Sequence, residues 1–213
     1  MDAELFPEQS LSSLHFEHLA RRRGHRVIAG LDEAGRGPLA GPVVSAAVVL
    51  PENFDLPCLT DSKKLTPAAR ERFYPLIWQK ALAVGVGVSR PAEIDRINIL
   101  QATLRSMERA VGRLVIAPDF LLIDGITPLP MPIAQQTLKK GDCRSLSISA
   151  ASVVAKVVRD RIMAAYDRIY PGYGFAAHKG YGSARHQDAI ARLGPVACHR
   201  RSFAGVREYC DDA

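Results

Sequence analysis

The sequence predicts an α/β domain with a mixed five-stranded sheet flanked by helices. Three observations support this class. Short apolar runs and helical patterns follow one another in the order β-β-α-β-α-β-β-α-α, which is typical of layered α/β folds. The first two strand candidates are joined too closely for a crossover helix, so part of the sheet is antiparallel. The chain of 213 residues, 47% of them hydrophobic, suits one globular domain.

The N-terminal part predicts a lead-in followed by a pair of strands. Residues 1–24 are largely polar and end in a basic run, so we place the domain at residues 25–213. Residues 27–31 and 43–50 are short, apolar and partly β-branched, as buried strands are. The connection between them, residues 32–42, has no helical period. We therefore predict an antiparallel pair.

The middle of the chain predicts a helix, a strand and a second helix. Thr66 is a good N-cap and Pro67 fits the first helical position, so a helix is expected over residues 67–80. Residues 82–89 read as a strand, and its glycines at 85 and 87 indicate a close backbone approach or a bulge. Apolar residues recur at helical spacing from Ile99 to Leu114, which predicts the next helix.

The remaining elements complete the predicted sheet and add two helices. Residues 120–123 form a strand that ends at Asp124, and a fifth strand follows the PLPMP turn at about residues 133–138. A long helix is expected over residues 147–170, where Pro171 and Gly172 stop it. Another helix is expected over residues 183–193.

Composition excludes several classes of protein and weakly favours a polyanionic partner. The net charge is +6 and the sequence pI is about 9.3. The four cysteines have no CxxC spacing, which favours reduced thiols over a zinc site or a disulfide framework. No apolar run approaches the roughly 20 residues of a membrane span. The polar N-terminus does not match a signal peptide, so we expect a cytoplasmic protein without a membrane partner.

The stretch DEAGRGPLAG, residues 32–41, is rich in glycine but matches neither common nucleotide loop. A P-loop requires GxxxxGK[ST], and a dinucleotide fingerprint requires GxGxxG at the start of a helix. Here the glycines are spaced differently, and Pro42 and a strand follow. Two readings remain: a tight turn between strands, or a turn that lets main-chain groups approach a ligand without side chains in the way.

Carboxylates at strand ends indicate a cation site. Asp32 and Glu33 end one apolar strand, and Asp124 ends another. Clustered carboxylates repel one another, so they imply protonation or a bound divalent cation. Oxygen ligands without His or Cys favour Mg²⁺ or Mn²⁺. Asp142, just before the long helix, is either a further ligand or a surface aspartate.

Glu33 presents a geometric difficulty. Neighbouring residues of a strand point to opposite faces, so Asp32 and Glu33 cannot both serve one site within a strand. Either the following turn swings Glu33 towards the site, or Glu33 is a solvated turn residue.

Over residues 27–206 the chain resembles bacterial ribonuclease HII. The stretches that carry the resemblance, in the order of that family, are GLDEAGRGPLAGPVV, TDSKKLTPAARERFY, LLIDG, KKGDCRSLSISAASVVAKVVRDRIM, GYGFAAHKGYGSARH and HRRSFAGV. The resemblance implies an RNase H-like fold with a C-terminal helical extension from about residue 171. It also implies a monomeric enzyme that cuts RNA paired to DNA.

The resemblance also implies site residues. The family's catalytic, metal-binding acids fall on Asp32, Glu33, Asp124 and Asp142. Its substrate-binding residues fall on Gly35, Arg36 and Gly37, on Lys63 and Lys64, which would contact phosphates, and on Tyr181, which would stack on the substrate. Tyr173 is the alternative for the stacking residue. Further phosphate contacts are expected from Lys139, Lys140, His199, Arg200 and Arg201.

The implied chemistry is hydrolysis with Mn²⁺ or Mg²⁺ as cofactor. In a two-metal scheme one cation activates water and the other stabilises the leaving 3′-oxygen, which gives 5′-phosphate and 3′-hydroxyl ends. The implied substrates are RNA/DNA hybrids and DNA duplexes containing ribonucleotides. Their cleavage would serve ribonucleotide excision repair and RNA primer removal. A binding module without catalysis and a nucleotide-dependent enzyme are the alternatives, and metal-dependent nicking separates all three.

Overall fold

Five strands form one mixed sheet in this computed structural model, which describes residues 14–57, 59, 62 and 65–210. The strands are β1 (Ile28–Ala34), β2 (Val43–Val49), β3 (Ala83–Ser89), β4 (Phe120–Asp124) and β5 (Ala134–Leu138), in the order β3-β2-β1-β4-β5. β2 is antiparallel to both β1 and β3, whereas β4 is parallel to both β1 and β5. The predicted mixed five-stranded sheet and its antiparallel first pair are confirmed.

Six α-helices accompany the sheet within the described residues. They are α1 (His15–Arg22), α2 (Pro67–Lys80), α3 (Pro91–Val111), α4 (Leu146–Ile169), α5 (Phe175–His178) and α6 (Ala184–Leu193). The start of α2 follows the predicted capping, because the Thr66 side chain accepts a hydrogen bond from the Ala69 N–H. Helix α3 begins at Pro91 rather than at the predicted Ile99. Asn98 has a φ of 66° and interrupts the helix, so the regular apolar pattern starts only after it.

Helix α1 lies within the segment interpreted as a lead-in, and the apolar pattern did not predict it. Phe16 and Ala20 are buried in a cluster with Ile28, Phe120 and Ile148. The helix has only eight residues and ends in arginines, so its short apolar face is not visible against the polar composition.

The two faces of the sheet carry different helices. Helices α2 and α4 pack on one face, with Phe73, Ile77 and Val154 in that core. Helix α3 packs on the other face, where Leu104 and Met107 contribute to the core. Its backbone lies directly against Gly85 and Gly87, where an added Cβ would collide with main-chain oxygens of α3. The close approach predicted from these two glycines is therefore confirmed.

The C-terminal part of the chain packs against the loop that joins β1 to β2. Phe175 of α5 and Cys198 join Ala40 and Met163 in one buried cluster. The Leu39 N–H also donates to the carbonyl of Gly180, at 2.8 Å. This packing brings the HKGYG segment next to the glycine-rich loop. Within the described part of the chain, each helix is too short or too polar to cross a lipid bilayer.

Candidate active site

Three aspartates meet at the carboxyl edge of the parallel strands. Leu31 of β1 is paired with Ile123 of β4, so the next residues, Asp32 and Asp124, lie side by side. Asp142 joins them from the segment after β5. One carboxylate oxygen of each aspartate lies within 4.8 Å of the others. The structure thus brings together three of the four predicted acids.

A short 3-10 turn, Gly141–Cys143, places Asp142 in this group. The Gly141 N–H donates to Oδ1 of Asp124 at 2.7 Å, and the Ser149 hydroxyl donates to the main-chain carbonyl of Asp142 at 2.6 Å. The turn is thereby fixed to both β4 and α4. Asp142 is 4% exposed, so the interpretation of this residue as a surface aspartate is wrong.

The electrostatics of the aspartate group favour a divalent cation. Asp32 is 3% exposed, and burial, followed by the charges of Glu33 and Asp124, raises the pKa of its carboxyl well above the usual value. Three oxygen ligands so close together are costly without positive charge between them. A hard dication satisfies all of them at once, so the residues present fit Mg²⁺ or Mn²⁺.

Glu33 lies outside the group of three aspartates. Its charge is nevertheless close enough to contribute more than that of Asp124 to the raised pKa of Asp32. Its carboxylate lies 3.5 Å from the Arg36 guanidinium, and its side chain is only 13% exposed. The reading of Glu33 as a solvated turn residue is therefore wrong. Its role as a metal ligand stays a prediction.

A cavity of about 220 Å³ adjoins the aspartates on the side of Glu33. Its lining residues are Glu33, Ala34, Gly35, Arg36, Gly37, Ser62, Ser152, Lys156, Arg159 and Tyr181. The two glycines of the GRG motif, Gly35 and Gly37, have different surroundings. Gly35 has a φ of +99° and lies against the Arg159 side chain, so it is required by the fold. A Cβ on Gly37 would meet nothing closer than Tyr181, 3.9 Å away, so Gly37 leaves open space.

Two buried arginines hold the loop that contains these glycines. Arg200 donates through Nη1 to the carbonyl of Arg36 at 2.7 Å, and through Nη2 to that of Gly35. Arg159 donates to the carbonyls of Ala40 and Pro42, at 3.1 and 3.0 Å. Burial, with the nearby charge of Arg159, lowers the pKa of Arg200 to about 9, which leaves it charged at neutral pH.

The expectation that His199 and Arg200 contact phosphates is wrong. Arg200 is 0% and His199 is 2% exposed. Lys139, Lys140 and Arg201 are exposed, and their contacts with phosphate stay predictions. Lys63 and Lys64 lie outside the described residues. Sequence reasoning did not single out Arg159 and Lys156 for the cavity. The sequence did contain an indication for Arg159: it lies four residues after Ala155 and four before Met163, so helical spacing places it on the buried face of α4.

The two candidate tyrosines differ in surroundings. Tyr173 is 3% exposed, its ring stacks on Phe175 at 5.3 Å, and its hydroxyl donates to the carbonyl of Gly194. It is a packed core residue. Tyr181 is 50% exposed and lines the cavity beside Gly37. The geometry thus favours Tyr181 as the residue that meets a substrate.

Asp32→Asn is expected to raise the thermal stability of the metal-free protein. A raised pKa means that ionisation of Asp32 opposes folding. This cost grows as the pH rises above the ordinary pKa of aspartate and is complete above the pKa in the folded protein. Asparagine removes the charge, so Tm at pH 7 in EDTA should rise by about 2–4 °C for each kcal/mol gained in the free energy of unfolding. The gain should vanish as the pH falls below the ordinary pKa of aspartate.

The matched control is Asp188→Asn, because Asp188 is exposed on α6 with only a 3.9 Å ion pair to Arg192. Its Tm should stay close to that of the parent. An unchanged or lower Tm for Asp32→Asn, measured by calorimetry in EDTA, would contradict the proposed charge crowding.

Comparisons with known proteins identify the family of the chain and agree with its fold. The family model described as Ribonuclease HII matches residues 29–206. Ribonuclease HII of Syntrophotalea carbinolica is 61% identical over 206 residues, covering 97% of this chain and 99% of that protein. Ribonuclease HII of Geobacter sulfurreducens is 64% identical over 198 residues, covering 93% of this chain and 91% of that protein.

The crystal structure of ribonuclease H2 from Pyrococcus horikoshii OT3 has a similar fold. It superposes with a TM-score of 0.73 at 27% identity, covering 86% of this chain and 97% of that one. The predicted RNase H-like fold is thereby confirmed. The chain belongs to the ribonuclease HII family and is a type 2 ribonuclease H.

Proposed function

We propose that the protein is a metal-dependent endoribonuclease that cleaves the RNA strand of RNA/DNA hybrids and nicks duplex DNA 5′ of an embedded ribonucleotide. One observation carries this proposal: the aspartate group and the open cavity beside Gly37 are joined through consecutive residues of β1, Asp32 and Glu33. A phosphate at the aspartates therefore has its sugar next to the cavity.

Asp32, Asp124 and Asp142 would hold the cations, with Glu33 as the proposed fourth ligand on the cavity side. Bound Mg²⁺ or Mn²⁺ would supply an activated water and a counter-charge for the leaving 3′-oxygen, which leaves 5′-phosphate and 3′-hydroxyl ends. The protein itself fixes the ligand positions through the Gly141–Asp124 hydrogen bond and the Ser149–Asp142 hydrogen bond. Such fixed geometry is what places a phosphate for in-line attack.

The glycine loop is the proposed reader of the 2′-hydroxyl. Arg200 binds the carbonyls of Gly35 and Arg36. In a trans peptide the N–H points opposite to the carbonyl, so the N–H groups of Arg36 and Gly37 point away from Arg200. A hydroxyl that enters the open space at Gly37 can bind main-chain groups there, whereas a deoxyribose leaves them unpaired. A site of this kind can discriminate by as much as about 10⁴-fold.

Tyr181 is the proposed platform for the sugar next to the ribonucleotide. Its half-exposed ring stands beside Gly37, so one substrate strand can contact the loop and the ring together. Lys156 adds positive charge to the same cavity, although it is paired with Asp160 at 2.7 Å. Recognition of a junction between RNA and DNA suits excision of single ribonucleotides and removal of RNA primers, the roles that we propose.

Cleavage of a duplex with one embedded ribonucleotide tests the proposal. In Mg²⁺ or Mn²⁺ we expect a single nick on the 5′ side of the ribonucleotide, a 3′-hydroxyl upstream and a 5′-phosphate downstream. An all-DNA duplex of the same sequence should stay intact, and EDTA should abolish the nick. Binding without cleavage, or cleavage of the all-DNA duplex, would overturn the proposal.

A further inference from the structure

Three histidines lie together beneath the loop that carries Tyr181. The imidazoles of His178 and His186 stack with centroids 4.4 Å apart, and Nε2 of His186 lies 3.1 Å from Nε2 of His199. His186 and His199 are buried. None of the three has a place in the proposed chemistry, yet each has a main-chain partner.

The hydrogen bonds determine the tautomers of His199 and His186. The Val196 N–H donates to Nδ1 of His199 at 2.9 Å, so that nitrogen is an acceptor and the hydrogen is on Nε2. His199 then donates to Nε2 of His186, which must carry its own hydrogen on Nδ1. Nδ1 of His186 lies 2.9 Å from the carbonyl of Tyr181 and donates to it. The result is a chain of hydrogen bonds that all donate in one direction, from the Val196 N–H through His199 and His186 to the Tyr181 carbonyl.

This chain requires both imidazoles to be neutral, and their surroundings favour that state. Burial, with the neighbouring His186, lowers the pKa of His199 to about 4. Burial likewise lowers the pKa of His186. If His186 were protonated, two N–H groups would face each other across the 3.1 Å contact with His199. If His199 were protonated, its Nδ1–H would face the Val196 N–H.

The third histidine holds the other side of the loop. The Gly180 N–H donates to Nδ1 of His178 at 3.1 Å, and the Tyr181 N–H donates to the His178 carbonyl at 3.0 Å. The Ser183 N–H also donates to the Tyr181 carbonyl, at 2.8 Å. The main chain of Tyr181 is therefore held on both sides while its ring is half exposed. A fixed main chain with a free ring is what a stacking platform needs, because little conformational freedom is lost on binding.

We propose that His186, held in its tautomer by His199, is a positioning residue that fixes Tyr181 beside the glycine loop for recognition of the RNA–DNA junction. This inference rests on the proposed function of Tyr181. His186 touches no substrate in this account and acts only through the carbonyl of Tyr181.

Two substitutions at position 186 separate the bond to Tyr181 from the packing of the ring. In His186→Asn the amide nitrogen takes the place of Nδ1, so donation to the Tyr181 carbonyl can persist. In His186→Gln the side-chain amide reaches the place of Nε2. The hydrogen bond with His199 can then persist, whereas the hydrogen bond to the Tyr181 carbonyl is lost. The readout is kcat/KM on a duplex with one ribonucleotide and on an RNA/DNA hybrid, together with Tm.

His186→Gln is expected to lower kcat/KM on the embedded ribonucleotide by about tenfold, the scale of one lost hydrogen bond. On the hybrid the loss should be several-fold smaller. His186→Asn should restore the ratio between the two substrates to nearly the parent value. Equal ratios for both variants, or parallel losses on both substrates that follow Tm, would overturn the inference.

Variants at position 199 and the variant Tyr181→Ala provide two further comparisons. If neither variant at position 186 folds, His199→Gln, which keeps an N–H towards His186, should preserve the substrate ratio, and His199→Met should lower it. Equal ratios there would also overturn the inference. Tyr181→Ala separates the two proposals. If it leaves the ratio unchanged, the proposed role of Tyr181 fails and the inference with it. If it lowers the ratio and His186→Gln does not, the inference alone fails.

Discussion

Asp124→Asn is expected to reduce cleavage of the embedded ribonucleotide by at least about 10³-fold while binding of the duplex changes little. A metal ion at such a site contributes several kcal/mol to the transition state, and each ~1.4 kcal/mol is a factor of ten in rate. Asparagine keeps the oxygen that accepts from the Gly141 N–H, so the turn that carries Asp142 should stay in place. The loss should therefore report on the metal site rather than on folding.

The control for this change is again Asp188→Asn, which alters the net charge equally on an exposed surface of α6. Its cleavage rate should match that of the parent. Turnover of Asp124→Asn close to the parent rate at saturating Mg²⁺ or Mn²⁺ would contradict the assignment of the aspartate group as the metal site. Binding can be followed separately in EDTA by fluorescence anisotropy.

Gly37→Val is expected to lower cleavage at an embedded ribonucleotide by at least about 10²-fold, the effect of displacing a reacting group by about 1 Å. A Cβ added at Gly37 would meet no atom closer than Tyr181, at 3.9 Å, in the free protein. The fold should therefore survive, with a Tm near that of the parent, while the approach of the sugar is blocked. Arg36→Ala should reduce the selectivity for a ribonucleotide less than Gly37→Val does, because the proposed contacts come from the main chain.

Gly35 supplies the contrast within the same loop. Its φ of +99° and its contact with Arg159 mean that even Gly35→Ala should lower Tm. If Gly37→Val cleaves the embedded ribonucleotide normally, the cavity is not the place of the ribose. The sequence did not distinguish the two glycines of the GRG motif, and of these two only Gly35 has a positive φ.

The features that could be predicted from the sequence depend on local patterns. The strands that carry Asp32 and Asp124 were visible as apolar runs followed by acids, and a shared sheet edge explains why the two meet. The capping of α2 by Thr66 was predicted for the same reason, since a cap involves residues only three apart. The strong resemblance to a known family supplied Asp142 and Tyr181.

The features that could not be predicted depend on burial of polar groups against distant main chain. Arg200 looks like a surface cation in the run HRR, but its partners are carbonyls of the glycine loop. His186 and His199 are buried for a similar reason, because their partners are each other and the main chain. No composition or spacing rule distinguishes such an arginine or histidine from an exposed one.

A crystal structure of Asp124→Asn bound to a duplex with one ribonucleotide would show where this protein places the ribose. We expect the ribose in the cavity beside Gly37, with its 2′-hydroxyl on the main chain of the glycine loop. The ring of Tyr181 should lie on the neighbouring deoxyribose, and the phosphate 5′ of the ribonucleotide should face Asp32 and Asp142. A duplex that binds with the ribonucleotide away from this cavity, or with a different phosphate at the aspartates, would contradict this expectation.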